Sequence, residues 1–138
     1  MRYDIRFPAG TPGWRVAAGL DMCYQIPTNL IQVNRDVDVS DVLAVVVDDA
    51  PVSAEDFSVR LHARNLEFGN RVARHSPLAV ALNLAEYLKI PNILPGPGLE
   101  DDRWWLVRPD RSHNIVTLDA APLQRGAHVV VGYSPTES

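Results

Sequence analysis

Two neighbouring carboxylates, Asp101 and Asp102, stand just before two neighbouring indoles, Trp104 and Trp105. Carboxylate oxygens beside an aromatic face suit a sugar, which stacks its apolar side and hydrogen-bonds at its edge, or a hard cation. Adjacent strand residues point to opposite faces, so one indole is expected in the core, and Asp101, Asp102 and Trp104 make the candidate ligand patch. A second constellation is cationic. In FSVRLHAR, residues 57 to 64, Arg60, His62 and Arg64 alternate with Val59, Leu61 and Ala63, and Arg71, Arg74 and His75 follow. Guanidinium forks match carboxylate and phosphate oxygens, so this face could hold an anion. An acidic stretch precedes it, with Asp36, Asp38, Asp41, Asp48, Asp49, Glu55 and Asp56. Such segregation reads as faces that are solvated or neutralise each other within the domain, or as a surface that meets a complementary neighbour. The second reading makes Arg60, His62, Arg64, Arg71, Arg74, Asp36, Asp38 and Asp41 the candidate interface.

Signs of catalysis are sparse. A nucleophilic thiol wants a cationic or histidine neighbour, and Cys23, the single cysteine, has none nearby in LDMCYQ. It reads as a small buried hydrophobe. The four histidines, 62, 75, 113 and 128, lack metal-ligand spacing. Phosphate-loop, dinucleotide-turn, zinc-helix and nucleophile-elbow motifs are absent from the sequence. No catalytic, cofactor-binding or metal residue is therefore assigned, and a non-enzymatic protein without a cofactor is expected. Two other classes stay open. One is a small hydrolase or lyase with a dispersed site near Asp101, Asp102 and Trp104. The other is a small binding module, immunity-type through the acidic stretch or carbohydrate-binding through an exposed Trp.

The elements that must position these residues fit a single domain of 138 residues. Hydrophobic residues make up 46% and charged residues 22%, as in ordinary globular chains. The formal net charge of −4 works against nucleic acid as a partner. MRYDIRFPAG alternates charge with aromatics where a signal peptide needs an apolar run, and no stretch is long and apolar enough to predict a membrane span. Synthesis in the cytoplasm is expected.

Alternation of Tyr3, Ile5 and Phe7 with Arg2, Asp4 and Arg6 predicts a half-buried strand, and residues 57 to 64 repeat the pattern. Residues 29 to 34 and 42 to 47 are β-branched runs, and VLAVVV, apolar on both faces, suits the middle of a sheet. WRVAAGLDMCYQ, residues 14 to 25, could be a short helix or two short strands around Gly19, and the strands are the preferred reading. Ser76-Pro77 is a cap followed by a first-turn proline, and Ile90-Pro91 ends the apolar run, so one substantial helix is predicted over about 76 to 89. Val80, Leu84 and Tyr87 lie off its main stripe of Leu78, Ala81, Leu82, Ala85 and Leu88. One sheet cannot cover all of that, and a partner chain would supply the rest. Seven or eight strands and one helix predict a mainly β to α+β fold, an antiparallel sandwich or small barrel carrying the helix.

The last stretch, HNIVTLDAAPLQRGAHVVVGYS (residues 113 to 134), holds two β-rich runs joined by an Ala-Pro and Gly-Ala loop. This hairpin resembles the terminal hairpins of bacteriophage virion proteins, especially those of tails and fibres. The resemblance implies structural work in an assembly, as a capsid-decorating subunit or a tail or connector component, and a place in a virus particle. Its implied partners are copies of the chain itself or other subunits, with neither nucleic acid nor membrane among them.

Overall fold

The alternating stretches become strands because side-chain period and buried face agree. A computed structural model describes residues 3–33, 44–49, 51, 53–63, 67–68, 71–72, 76–98 and 100–133. The chain runs β1 (Tyr3–Phe7), α1 (Gly13–Tyr24), a 3-10 turn (Thr28–Leu30), β2 (Ile31–Val33), β3 (Ala44–Asp48) and β4 (Val59–Ala63). It continues through β5 (Glu67–Phe68), β6 (Arg71–Val72), α2 (Pro77–Leu88), β7 (Asn92–Pro95), β8 (Arg103–Val107), β9 (His113–Leu118), α3 (Ala120–Gln124) and β10 (Val130–Tyr133). Eight strands form one sheet in the order β10-β9-β8-β7-β1-β4-β3-β2, while β5 pairs with β6. Neighbours in the large sheet are antiparallel except β2 with β3. The protein thus has the β-rich α+β character expected of it.

Two expectations need correction. The segment 14 to 25, where strands were preferred over a helix, forms the helix α1 up to Tyr24. Its buried residues Val16, Ala17, Leu20 and Tyr24 fall on one helical face. Gly19 sits where α2 crosses, and a Cβ there would lie 3.2 Å from Leu84 Cδ2 and 3.3 Å from Leu88 Cδ2. The glycine that made the segment look broken therefore lets the helices approach. The helix also lacks sequence landmarks, for Pro12 caps it without a side-chain hydrogen bond and Gln25 takes the left-handed C-cap position. The second correction concerns the VLAVVV run. Its strand β3 lies next to the β2 edge, and β7 and β1 hold the middle of the sheet.

The predicted helix is α2. Ser76 Oγ accepts the Ala79 N–H at 3.2 Å, and Pro77 occupies the first turn. Val80 and Leu84 are fully buried, and the Gly19 contact shows α1 covering Leu84. Cover expected from a partner chain comes from this chain's other helix, and only Tyr87 of the three off-stripe residues stays exposed. Arg15 at the start of α1 donates to the Leu88 carbonyl at the end of α2 at 2.8 Å, tying the helices antiparallel. Together they cover one sheet face through Tyr3, Ile5, Phe7, Val59, Leu61 and Ala63.

The opposite face has its own apolar cluster of Ile93, Trp104, Leu106, Val116 and Leu118, joined by Phe57, Leu123 and Val130. It exists because the sheet curls. Phe57 N–H donates to the His128 carbonyl at 2.9 Å. These residues precede β4 and β10, which stand five places apart in the sheet, roughly 24 Å if it were flat. The sheet bends toward a barrel, with α3 and its following turn closing the bend. Ile115, Val116 and Leu118 of the terminal hairpin are buried by this chain itself, one on the helix side and two in the second cluster.

Candidate functional site

Pairing of β1 with β4 sets Arg6 opposite Arg60 and Asp4 opposite His62. Their neighbours point to the helices, so these four side chains share the inner face of the curl. Two guanidiniums side by side repel unless anions intervene. Arg60 Nε lies 3.4 Å from Asp49 Oδ2, and Arg6 Nε lies 3.5 Å from Asp4 Oδ1. The Arg6 guanidinium carbon also sits 5.8 Å from the Trp104 ring centroid. Burial pushes the Arg6 pKa below its ordinary value even though Asp4 pulls it up, and Arg60 pushes the same way as burial.

Asp56 and His128 close this face. Asp56 is 3% exposed, and its Oδ1 accepts the backbone N–H of His128 at 2.8 Å. The imidazole meets Trp104 edge-on, with ring centroids 4.9 Å apart. Burial first and the Arg6 charge second hold His128 below the usual imidazole pKa, favouring its neutral form. Between these groups opens a cavity of about 220 Å³ lined by Arg6, Asp49, Asp56, Ser58, Arg125 and the turn after α3.

Of the candidate interface residues, Arg60 and His62 fall on this inner face, and the Arg60–Asp49 pair joins the basic and acidic stretches within one chain. Arg71 lies in β6, described through its backbone alone. Arg64, Arg74, Asp36, Asp38 and Asp41 lie outside the described residues, as does His75. In the candidate ligand patch, Asp101 is exposed and Asp102 half-buried, while Trp104 is 7% exposed and turned into the second cluster. Its Nε1 donates to the Asp101 carbonyl at 2.9 Å, so the indole fastens the β7–β8 loop. Trp105 is half-buried on the helix side, edge-on to His113 at 5.3 Å. Cys23 is half-buried against α2, where burial, then the Glu86 charge, raises its thiol pKa.

The α1 half of the two-helix layer's outer surface was not foreseen. Trp14 is 67% exposed, Met22 66% and Tyr87 46%. Trp14 and Met22 lie eight residues apart on α1, about 80° around its axis, with Ala18 between them. Spacing of i, i+4 and i+8 in WRVAAGLDM was the signal, hidden while that segment read as strands. A groove of about 440 Å³ beside Tyr87 runs between the helices, lined by Cys23, Asn83, Glu86 and Lys89. Its polar frame is held in place. Asn83 Nδ2 donates to the Tyr24 hydroxyl at 2.8 Å, and Arg111 reaches Asn83 Oδ1 at 3.0 Å and Glu86 Oε1 at 3.3 Å. Among the described residues, no helix is long and apolar enough to cross a membrane. The sequence matches no protein-family model, and comparison with curated proteins and with solved structures brings no match.

Proposed function

We propose that the chain is a non-enzymatic assembly subunit that meets further copies of itself through the outer surface of its two-helix layer. The observation that carries this reading is the exposure of Trp14 and Met22 on α1 and of Tyr87 on α2. Trp, Tyr and Met are enriched where proteins meet, because each combines a large apolar surface with few or adaptable rotamers. Trp and Tyr are also the commonest energetic anchors of such contacts. Arg15, Asp21 and Glu86 on the same two helices are the kind of polar residues that set orientation. The terminal hairpin's likeness to phage virion hairpins suggests the setting, an accessory subunit that decorates a capsid or joins tail parts.

Sedimentation velocity over a concentration series tests this. The wild-type chain should sediment faster as concentration rises, while a Trp14→Ser/Met22→Ser variant with the same circular dichroism stays monomeric. A wild-type chain that remains a monomer throughout, or a double variant that associates equally well, would refute the proposal.

A further inference from the structure

We propose that His128 is an acid-released latch: when its ring takes up a proton, the turn after α3 and the start of β10 let go of the segment before β4, and the curl opens over Trp104. Both backbone polar groups of His128 hold that closure. Its carbonyl accepts the Phe57 N–H at 2.9 Å, and its N–H donates to Asp56 Oδ1 at 2.8 Å. The residue is 7% exposed, with its ring edge-on to Trp104 at 4.9 Å. The ring that can take up a proton and the backbone that closes the curl thus belong to one residue.

The surroundings of the ring suit its neutral form. Nδ1 is buried and has no hydrogen-bond partner. A neutral imidazole leaves one ring nitrogen without a proton, whereas an imidazolium carries two N–H groups and would bury one of them without an acceptor. The charged groups on neighbouring elements divide. Arg6 on β1 repels an imidazolium, while Asp4 on β1, Asp56 before β4 and the Gly126 backbone favour it. Both carboxylates have other work, for Asp56 Oδ1 accepts the His128 N–H and Asp4 Oδ1 lies 3.5 Å from Arg6 Nε. Burial and Arg6 prevail, so the closed ring takes up a proton less readily than a ring in water. Below about pH 6.5 the proton therefore goes preferentially to the opened form and shifts the population toward it. What opening uncovers is apolar, the Trp104 indole with Leu123 and Val130 of the second cluster. A surface hidden at neutral pH and shown in acid is the working part of a pH-sensitive contact.

Amide hydrogen exchange of the wild-type chain at pH 7 and pH 5, corrected for the intrinsic rate at each pH, tests the latch. The Phe57 and His128 amides should lose protection several-fold at pH 5, with about ten-fold per pH unit as the ceiling for uptake of one proton, while the amides of β1 and β4 keep theirs. In His128→Gln, whose side chain does not titrate, Phe57 should be equally protected at both pH values. Titration of the wild-type ring in ¹H–¹³C spectra gives an independent reading, with its midpoint expected below 6.5. Phe57 and His128 amides equally protected at both pH values overturn the proposal. So does a parallel loss in β1 and β4, which is global unfolding, or a Phe57 loss that persists in His128→Gln. A ring that titrates at or above 6.5 in the closed protein overturns it whether or not the variant folds.

Discussion

Replacing Asp56 by Ala should open the curl of the sheet. Asp56 Oδ1 accepts the His128 N–H at 2.8 Å, and both residues are buried, at 3% and 7% exposure. Alanine leaves that N–H without an acceptor where water cannot reach it. A buried unsatisfied donor costs about 1–3 kcal/mol, and a hydrogen bond to a charged acceptor is worth about 1.5–3 kcal/mol. The two figures describe one loss, so the expected destabilisation is about 2 kcal/mol. For a chain of 138 residues, this corresponds to a fall of roughly 6–10 °C in melting temperature. Thermal melts followed in the near-ultraviolet, where Trp104 beside His128 reports on the closed face, provide the assay. Asp56→Asn keeps an oxygen acceptor and should lose less than half as much. A melting temperature for Asp56→Ala within about 1 °C of the parent would refute the reasoning, since even a minimal hydrogen-bond loss exceeds that. So would an Asn variant as damaged as the Ala one.

His128 should make stability depend on pH. Its folded pKa lies below the ordinary 6.5, so between the two values the unfolded chain binds more protons and stability falls as the pH drops. His128 therefore withholds no stability above about pH 6.5 and withdraws it progressively on acidification. Chemical denaturation at a series of pH values should show a smaller acid loss in His128→Gln; an unchanged pH profile would count against a buried neutral imidazole. Cys23 should alkylate more slowly with iodoacetamide than a free thiol at neutral pH, and its rate should go on rising with pH after that of a free thiol has levelled off, because burial and Glu86 raise its pKa above the ordinary 9.0. A rate equal to that of glutathione at neutral pH would contradict its placement against α2.

Some of this architecture could be read from residue spacing alone. β1 and β4 were legible because Tyr3, Ile5 and Phe7, and Val59, Leu61 and Ala63, alternate with polar residues, and a half-buried strand requires that. α2 was legible through Ser76-Pro77, a local cap that needs no tertiary context. α1 was not, because its interior glycine is explained only by Leu84 and Leu88 on a helix about sixty-five residues away. Nor was the curl, which depends on Asp56 and Phe57 meeting His128 across 72 positions of sequence. The candidate sites divide in the same way. Arg60 and His62 were found by alternation, but the groups they face, Arg6, Asp4 and Asp49, come from another strand and a loop. Trp104 was singled out as a ligand platform, and only the course of the β7–β8 loop turns it inward. Trp14 and Met22 escaped notice because exposure cannot be assigned to a segment whose period is misread.

The central claim is that the helix layer meets another copy of the chain, and the signal of Trp14 tests it most directly. Of the three tryptophans, Trp14 is 67% exposed and Trp104 only 7%, with Trp105 half-buried, so 5-fluorotryptophan labelling places one reporter on the proposed contact and two in the interior. Fluorine spectra recorded over a rising protein concentration should show the Trp14 resonance shifting or broadening while the other two stay fixed. Three resonances that all stay unchanged up to about millimolar concentration, where even weak contacts are populated, would contradict the account.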